Sequence, residues 1–333
     1  MPVVKAKRPD EFELIRRFFA PLAAKAPGAL GLTDDAALIK PPKGHELVVT
    51  TDALVEGVHF PFGETPESVA ARALGVNLSD LAAMGARPLA YTMAIALGDR
   101  CGGAWIGRFA GELGRLQKTH RIDLIGGDTV ATTGPLTVSI TAFGVVRQGM
   151  ALRRNAARPG DGIYVSGTIG DAALGLRALE GRLRGLAGKH RKALLDRFQR
   201  PRPRVCLGRA LVGVARAAID VSDGLVADVG HVARASRLTA EIDAGRVPLS
   251  AAARAAIAGD PKRLSVAITG GDDYELAFTA PPRADAAIAR IARSLKLRIT
   301  RIGRMKKGDG GTVMVTDGDG RPIRLARGGY RHF

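Results

Sequence analysis

The chain has 333 residues, of which 46% are hydrophobic and 25% are charged, and its formal net charge is +18. This length favours two domains, and the balance of apolar and charged residues excludes an intrinsically disordered chain. Two cysteines are too few for a disulfide framework or a zinc site, and no apolar run approaches the roughly 20 residues that span a bilayer, so we expect a cytoplasmic protein with no membrane partner.

A net positive charge of this size is common among proteins that bind nucleic acid. Aromatic residues make up only 5% of this chain and are not interleaved with its Arg and Lys, which disfavours nucleic acid as a partner. The densest basic segment runs from Arg182 to Arg204 and contains a single acid, Asp196. We expect it to form a solvated helical face followed by a Pro-rich connector. A basic RNA-binding protein is the rival from another functional class, and salt-sensitive binding to nucleic acid without ATP turnover would favour it.

The N-terminal segment predicts an amphipathic helix. Asp10 followed three residues later by Glu13 is a capping-box-like helix start. Phe12, Ile15 and Phe18/Phe19 then recur at helical spacing, so we expect this side of the helix to pack on the core.

Two predicted strands come next, each with acidic residues at one end. Asp34 and Asp35 precede an apolar strand at 36–39, although adjacent aspartates repel each other and are poor strand formers. A second strand, 47–52, ends on Asp52.

A helix is predicted over residues 67–84, with an apolar stripe along one side. Asn77 and Asp80 are three residues apart and share one face of this helix. A carboxylate so close to an apolar stripe is costly unless it has a partner. A strand at 89–97 and a helix at 105–116 follow.

Gly126 and Gly127 precede Asp128 at the end of an apolar run. Glycines allow positive φ and close approach to backbone N–H groups, so we expect a tight turn that presents Asp128. A carboxylate there cannot neutralise a phosphate, but it can hold a divalent cation that does. An ordinary tight turn explains the same residues, so only the recurrence of such turns strengthens the case.

The pattern changes near Gly149, where we place the boundary between two domains, 1–148 and 149–333. The second domain opens with a strand at 163–166, and a glycine-rich turn then leads into a helix at 172–179.

Acidic turns recur in this second domain. Asp220, Ser222 and Asp223 follow an apolar strand, and Ser222 is placed to cap a helix at 225–235. A third turn, 268–276, contains Gly-Gly-Asp-Asp and leads into a strand.

The C-terminal segment contains Asp309-Gly and Asp317-Gly-Asp319-Gly. These sequences resemble calcium loops but lack the closing Glu, so we expect hairpin turns at both places.

Six aspartates are thus predicted at strand ends or on the inner face of a helix: Asp35, Asp52, Asp80, Asp128, Asp220 and Asp223. If they converge, their repulsion raises their pKa values and destabilises the fold. Magnesium resolves this conflict because it prefers carboxylate oxygens together with phosphates. Several magnesium ions would suit phosphoryl transfer, in which charge neutralisation and alignment supply most of the catalysis. No P-loop or protein-kinase signature is present, so this chemistry needs a different architecture.

Six motifs resemble those of the thiamine-monophosphate kinase family, within the superfamily typified by aminoimidazole ribonucleotide synthetase and selenophosphate synthetase. They follow the family's order nearly end to end, at 34–38, 50–60, 76–86, 125–129, 219–225 and 270–276. The resemblance implies a two-domain α/β (α+β) fold. Its N-terminal domain would bind ATP and magnesium and would pair its sheet with that of a second protomer to form a barrel. It therefore also implies a homodimer.

The resemblance implies ATP-dependent phosphorylation of thiamine monophosphate to thiamine diphosphate, the last step of thiamine diphosphate biosynthesis. The transfer would be direct and in-line, with several Mg²⁺ ions and no phosphoenzyme. Because the nucleophile is already an anionic phosphate oxygen, no strong general base is needed, and none is evident in the sequence.

By motif position, the implied metal ligands are Asp35, Thr50, Thr51, Asp52, Asp80, Asp128, Asp220 and Asp223. Asp128 and Asp223 are the implied catalytic residues. The implied ATP contacts are Gly127, Asp128, Arg154 and Ser222, and the implied substrate contacts are His59, Asp272 and Tyr330.

Two positions depart from the family pattern. Asp272 stands where the family usually has Glu, and Arg327 stands where an aromatic residue commonly packs on the thiamine rings, so Tyr330 is the substitute. A selenophosphate-forming relative is the nearest rival, but it would need an N-terminal Cys or selenocysteine in a Gly-rich segment, which this sequence lacks.

Overall fold

The computed structural model describes residues 9–325 and 329–330. These residues form two compact units. The first comprises the described residues up to Leu81 together with Ala86–Gly149, and the second comprises Ala82–Gly85 and the described residues from Met150 onward. Each unit combines one β-sheet with helices, so the predicted mixed α/β class is confirmed. Within the described residues, no helix is long and apolar enough to cross a membrane.

The first unit contains a four-stranded sheet of order β1-β4-β2-β3, in which only β2 and β3 are parallel. Its elements in chain order are α1 (Glu11–Leu14), α2 (Ala20–Ala23), β1 (His45–Val55), α3 (Pro66–Ala83), β2 (Arg87–Leu97), α4 (Gly103–His120), β3 (Asp123–Ala131) and β4 (Thr137–Arg147).

Helix α3 is buried on nearly all sides. The predicted apolar stripe is confirmed, since Val69, Leu74 and Leu78 are fully buried. Asn77, on the face predicted to carry Asp80, is fully buried as well. The helix therefore carries polar side chains into the interior of the unit, where each needs a partner.

The N-terminal helix begins as predicted, because the Asp10 carboxylate accepts the Glu13 N–H at 2.9 Å. Its predicted stripe is wrong at Phe12, which is 80% exposed, whereas Phe19 is buried as predicted and Leu14 is buried beside it. The reason is a π-helical turn at Ile15–Phe19, closed by the Ala20 N–H donating to the Ile15 carbonyl. This wider turn aligns residues five apart, so Leu14 and Phe19 share the buried face.

The strand predicted at 36–39 is absent. These residues follow a 3₁₀ turn at Pro27–Leu32 and form no ladder with another strand. The Leu38 N–H bonds the Gly28 carbonyl at 2.8 Å, and the Leu38 side chain is 70% exposed. Apolar composition alone cannot produce a strand where no neighbouring strand supplies partners.

The places predicted for Asp52 and Asp128 are also wrong. Asp52 lies inside β1, opposite Ile140 of β4, and not at a strand end. Asp128 lies inside β3, opposite Ala94 of β2, and Gly126 and Gly127 form part of the same strand and no turn. The partner strands are distant in the sequence, so local composition does not reveal them.

The second unit contains a six-stranded sheet of order β10-β7-β9-β5-β8-β6. Its elements are β5 (Gly162–Ser166), α5 (Asp171–Leu179), α6 (Gly188–Gln199), α7 (Val205–Leu211), β6 (Ala217–Asp220), α8 (Leu225–Ser236), β7 (Leu238–Asp243), α9 (Ala251–Ala258), α10 (Arg263–Thr269), β8 (Leu276–Ala280), α11 (Asp285–Leu295), β9 (Ile299–Lys307) and β10 (Val313–Thr316).

One edge of this sheet gathers the loops of the second unit. Asp220 at the end of β6 pairs with Leu276 at the start of β8, and Ser166 at the end of β5 pairs with Ile299 at the start of β9. Because neighbouring strands are antiparallel here, the loops after β5 and β6 and those before β8 and β9 leave from the same edge.

The hairpin predicted at Asp309 is wrong. Strands β9 and β10 both pair with β7 and not with each other, so residues 308–311 connect strands on opposite sides of β7. The turn predicted at Asp317 is present, since the Asp317 N–H donates to the Arg321 carbonyl at 2.9 Å. A bridge between Thr316 and Pro322 flanks this turn.

Candidate active site

An acidic pair forms the centre of the candidate site in the first unit. Thr50 and Asp52 are two residues apart on β1, so their side chains point to the same face of the sheet. Asp80, on α3, lies against both: the Thr50 hydroxyl donates to its carboxylate, and its charge acts directly on Asp52. The fold therefore brings together three of the predicted metal ligands.

The pKa of Asp52 is raised from 3.8 to about 6. Burial is the largest cause, followed by repulsion from the Asp80 carboxylate and a hydrogen bond between the two acids. Asn77, three residues before Asp80, has a buried side-chain oxygen that meets no donor among the described residues. A hard cation such as Mg²⁺ prefers oxygen ligands. The carboxylates of Asp52 and Asp80 and the hydroxyl of Thr50 offer such oxygens, and the unsatisfied amide oxygen of Asn77 is another.

Gly127 and Asp128 lie on β3, at the opposite edge of the sheet from β1. A Cβ at Gly127 would lie 2.0 Å from the Met93 carbonyl oxygen of β2, so only glycine allows the two strands to approach this closely. Asp128 is exposed, and its carboxylate accepts the Thr129 N–H at 2.8 Å. This bond leaves its second oxygen available to a ligand.

The structure does not place Thr51 or Asp35 with this group. The Thr51 hydroxyl, on the opposite face of β1 from Thr50, lies 2.8 Å from the Thr141 hydroxyl. Asp35 lies in an exposed bend.

His59 is half-buried in the turn after β1. Its Nδ1 accepts the Val55 N–H at 2.9 Å, so the neutral ring carries its proton on Nε2. The predicted substrate contact can therefore donate a hydrogen bond from Nε2.

In the second unit, the acidic turn after β6 is organised by a residue that the sequence analysis did not single out. One carboxylate oxygen of Asp228, in the first turn of α8, accepts the N–H groups of Ser222, Asp223 and Gly224 at 3.0, 3.1 and 3.1 Å. The predicted cap by Ser222 is wrong, because Gly224 occupies the N-cap position. The Asp228 side chain satisfies the backbone donors instead.

Asp228 also belongs to a compact acidic cluster. Ligand atoms of Asp223, Asp228 and His231 all lie within 4.8 Å of one another. Burial raises the pKa of Asp228 to about 8, and repulsion from Asp220 and Asp223 adds to this, while the N–H groups of Asp223 and Gly224 oppose it. One sequence signal was available, since Asp228 and His231 are three apart on one helix face directly after the acidic turn.

The third acidic turn packs against the second. The Asp272 N–H donates to the Ser222 carbonyl at 2.9 Å, and the Tyr274 hydroxyl donates to the Asp272 carboxylate at 3.1 Å. Asp272 has φ of 72°, a left-handed conformation that is uncommon outside glycine and asparagine or aspartate. The Tyr330 N–H donates to the Asp223 carbonyl at 3.0 Å, and the Tyr330 side chain is 52% exposed. The structure thus brings Asp272 and Tyr330 to the same turn as Ser222 and Asp223.

A buried polar network supports the third turn from behind. The Asp273 carboxylate accepts the N–H groups of Gly170 and Ala172 at 2.6 and 3.2 Å, and burial raises its pKa to about 8. The Arg197 guanidinium donates to the Asp273 carbonyl and to the Glu275 carboxylate, at 3.0 Å in both cases. These contacts hold the chain between Asp272 and β8.

The expectation that residues 182–204 form a solvated face is wrong for two arginines. Arg197 is buried, and Arg204 donates two hydrogen bonds to the fully buried Glu275. Glu275 thus pairs with two arginine side chains, and its carboxylate also accepts a hydrogen bond from the Ser166 hydroxyl at 2.6 Å. By contrast, the pair between Arg202 and Asp196 is exposed, as the sequence predicted.

Arg154 begins an exposed 3₁₀ turn, and its carbonyl accepts the Ser236 hydroxyl at 2.9 Å. Within residues 9–325 and 329–330, its guanidinium forms no ion pair, so it is open to an anionic ligand. Arg327, the position of the predicted departure from the family, lies outside the described residues.

The sequence and the fold both match known proteins. The chain matches the models of the AIR synthase related protein N-terminal domain over residues 33–146 and C-terminal domain over residues 158–316. It is 42% identical to thiamine-monophosphate kinase of Escherichia coli strain K12, over 97% of this chain and 98% of that protein. The chain belongs to the thiamine-monophosphate kinase family. The family predicted from the six motifs is confirmed.

Solved structures of this family share the fold. The crystal structure of thiamine-monophosphate kinase from Stenotrophomonas maltophilia K279a has a TM-score of 0.84 at 44% identity, covering 94% of this chain and 98% of that one. The structure of AaThiL complexed with AMPPCP and TMP has a TM-score of 0.77 at 31% identity, covering 97% of each chain. The two-domain fold predicted from the resemblance is therefore confirmed.

Proposed function

We propose that this protein phosphorylates thiamine monophosphate to thiamine diphosphate, with ATP as the phosphoryl donor. The similarity to thiamine-monophosphate kinases over nearly the whole chain supports the reaction, and the AaThiL complex with AMPPCP and TMP supports the two substrates. Within the structure, the observation that carries phosphoryl transfer is the contact between Asp52 and Asp80, because two adjacent carboxylates call for a cation.

Magnesium fits this group of residues. The donors are carboxylate and hydroxyl oxygens, which this hard cation prefers. Burial first, and then repulsion from Asp80, raise the pKa of Asp52 to about 6, and a bound dication would offset both effects. Thr50, Asp52 and Asp80 are the proposed ligands that lie together in the first unit. Asp35, Thr51 and Asp128 in the first unit, and Asp220 and Asp223 in the second, are proposed as ligands from their motif positions alone. When bound, magnesium would neutralise the phosphate charge and align the reacting groups.

The chain's own residues then position the substrates. We assign Gly127, Arg154 and Ser222 to ATP, with Arg154 supplying a guanidinium for a phosphate. His59 would contact the phosphate of thiamine monophosphate, and Asp272 with Tyr330 would contact the rest of that substrate.

The reaction needs no base from the protein. An oxygen of the thiamine monophosphate phosphate attacks the γ-phosphorus of ATP in line, and the bond from that phosphorus to the bridging oxygen of ADP breaks. Asp128 and Asp223 would act by holding the reacting phosphates in place through the cations, which is why we treat them as the catalytic residues.

We also propose a cytoplasmic homodimer in which the sheets of two N-terminal domains, residues 1–148, pair, while residues 149–333 form the C-terminal domain. Strand β1 lies at the edge of its sheet, and a strand edge offers unpaired backbone groups to a second chain. Val49, on that strand, is 55% exposed, which suits burial in such an interface.

The proposed reaction is tested by incubating the purified protein with ATP, thiamine monophosphate and Mg²⁺ and following thiamine diphosphate by chromatography. We expect product with Mg²⁺ and none with EDTA. Asp128→Asn and Asp223→Asn should each reduce turnover by at least about a hundredfold while leaving the thermal unfolding profile intact. Near-normal turnover of both variants would remove the metal assignment, and the absence of product from the wild-type protein would overturn the function.

A further inference from the structure

A second concave site lies in the second unit, and none of its lining residues belongs to the acidic turns. Its volume is about 490 Å³, within the range of small-molecule sites. It is lined by the segment Gly245–Leu249 after β7, by Arg254 on α9, and by Arg298, Thr300 and Arg301 at the start of β9. None of the residues assigned above to ATP, magnesium or thiamine monophosphate lines it.

The lining is strongly basic. Four of its residues are arginines, and no acid is among them: Arg246, Arg254, Arg298 and Arg301. Asp243 pairs with Arg246 at 3.3 Å, and Asp285 lies 3.9 Å from Arg301. Within the described part of the chain, Arg254 and Arg298 form no ion pair. The site therefore carries two arginine charges that no carboxylate offsets.

Those two guanidiniums are oriented by neutral acceptors. Arg254 donates to the Leu249 carbonyl at 2.6 Å, and Arg298 donates from Nε to the Thr300 hydroxyl at 3.2 Å. A guanidinium has five N–H donors, so each retains most of its donors for a ligand. Both side chains are exposed, and these single hydrogen bonds restrict only part of the conformational freedom that would be lost on binding.

The backbone around the site is fixed by hydrogen bonds to a neighbouring loop. The Pro248 carbonyl accepts the Ile169 N–H at 2.9 Å, and the Arg298 carbonyl accepts the Gly167 N–H at 2.8 Å. Val247 and Pro248 are buried and give the site an apolar floor. A built site with an apolar floor and a basic rim suits a ligand that has both an organic part and a compact anionic group.

From these observations, we infer that this arginine-lined site binds a small organic phosphate with at least two negative charges. Guanidinium groups match phosphate oxygens in shape and charge, and two uncompensated arginines match a dianion. An open concave site of this size can hold one small molecule at the surface, whereas an extended polyanion would need a groove that continues beyond it.

The test titrates inorganic diphosphate, and then ADP, into the full-length protein in EDTA at physiological salt, with binding followed by calorimetry. EDTA removes the cations through which the acidic turns would hold a polyphosphate, and the variants below separate binding at the arginine-lined site from binding elsewhere, such as at Arg154. We expect the wild-type protein to bind diphosphate with a Kd below about 1 mM. ADP should bind more tightly than diphosphate because its nucleoside can contact the apolar floor.

Arg254→Gln/Arg298→Gln should weaken binding at least about tenfold, as expected when charge-assisted hydrogen bonds are lost. The matched control is Arg283→Gln/Arg293→Gln, which removes the same charge from exposed arginines of the same unit that do not line the site. It should change Kd by less than about twofold, since it removes only screened long-range charge. The single variant Arg298→Gln, whose side chain bonds only a close neighbour, repeats the test if the double variant unfolds.

Two results would overturn the inference. One is the absence of diphosphate binding by the wild-type protein, and the other is equal weakening in the two double variants, which would mean that net charge and not this site attracts the anion. Neither result bears on the kinase reaction, because the titration contains no magnesium and no thiamine monophosphate.

Discussion

The carboxylate of Asp228 accepts the backbone N–H of Asp223 at 3.1 Å, and the same oxygen accepts the N–H groups of the residues on either side. Asp223 is a proposed metal ligand, whereas Asp228 is buried beneath it. The buried acid thus fixes the backbone from which the half-buried Asp223 is presented.

The first prediction concerns this anchor. Asp228→Ala leaves three N–H groups without an acceptor, so we expect a loss of roughly 1–3 kcal/mol in the free energy of unfolding. We also expect the Mg²⁺ concentration for half-maximal turnover to rise, because Asp223 is no longer held in place. Urea unfolding and a magnesium titration of turnover measure the two effects.

Asp228→Asn is the matched control, because its amide oxygen can still accept the three N–H groups. Burial also raises the pKa of Asp228 to about 8, which favours the neutral carboxyl that asparagine imitates. The asparagine variant should therefore stay close to the wild-type protein in both measurements. Equal damage from Ala and Asn would show that hydrogen-bond acceptance is not what Asp228 contributes.

The second prediction concerns the pH dependence of stability in the absence of metal. The pKa of Asp52 is raised from 3.8 to about 6, so the folded protein holds this proton more tightly than the unfolded chain. The free energy of unfolding must then fall as the pH rises from about 4 to about 6, and the loss is complete above that range. Asp52→Asn removes this loss and should stabilise the protein in EDTA at pH 8 by roughly 1–3 kcal/mol.

Urea unfolding at pH 4, 6 and 8 checks this prediction. The gain from Asp52→Asn should shrink towards pH 4, where the wild-type carboxyl is protonated. Adding Mg²⁺ at pH 8 should stabilise the wild-type protein more than the variant. Asp34→Asn, at an exposed aspartate of the same unit, serves as the control and should show no such trend. A pH-independent gain would contradict the proposed repulsion between Asp52 and Asp80.

Sequence reasoning identified the helices of the first unit because their signal is local. The apolar residues of α3 recur at helical spacing, and Asn77 and Asp80 share a face whatever the rest of the chain does. The strand through Gly127 was not predictable in the same way. Two glycines suit a turn equally well, and only the close approach of Met93, which lies far away in the sequence, makes glycine necessary there.

The same distinction applies to charged residues. Arg197 and Arg204 appeared to belong to a solvated basic face because their acid, Glu275, lies more than seventy positions further along the chain. Asp228 was missed for a different reason: an acid in the first turn of a helix is usually explained by the helix dipole. Its bonds to the preceding turn depend on the backbone path, which composition does not specify.

The third prediction follows from the close approach at Gly127. Gly127→Ala would place a Cβ 2.0 Å from the Met93 carbonyl oxygen, so β2 and β3 must separate. We expect a loss of roughly 1–3 kcal/mol in the free energy of unfolding, together with a fall in turnover through the displaced Asp128. Thermal unfolding and the thiamine diphosphate assay measure these effects.

Gly126→Ala is the matched control on the neighbouring residue. A Cβ there would meet only the Thr92 methyl group, at 3.7 Å, which is an ordinary contact. We expect a change of less than about 0.5 kcal/mol in stability, or a small gain from the reduced freedom of the unfolded chain. If the two alanine variants behaved alike, the close strand approach at Gly127 would not be the reason for glycine.

The fourth prediction compares a buried ion pair with an exposed one in the same basic segment. Arg204→Gln removes the guanidinium that donates two hydrogen bonds to the fully buried Glu275. Within the described residues, Glu275 then keeps only Arg197 as a charged partner. Removing one partner of a buried pair leaves charge that water cannot reach, so we expect a loss of roughly 2–4 kcal/mol in the free energy of unfolding.

Arg202→Gln is the control: it breaks an exposed pair with Asp196 and should lower the free energy of unfolding by less than about 1 kcal/mol. Urea unfolding of both variants at one salt concentration decides the comparison. Similar costs would mean that water reaches Glu275, whereas the predicted difference would show that a charge cluster which looks uniform along the chain has two physically distinct parts.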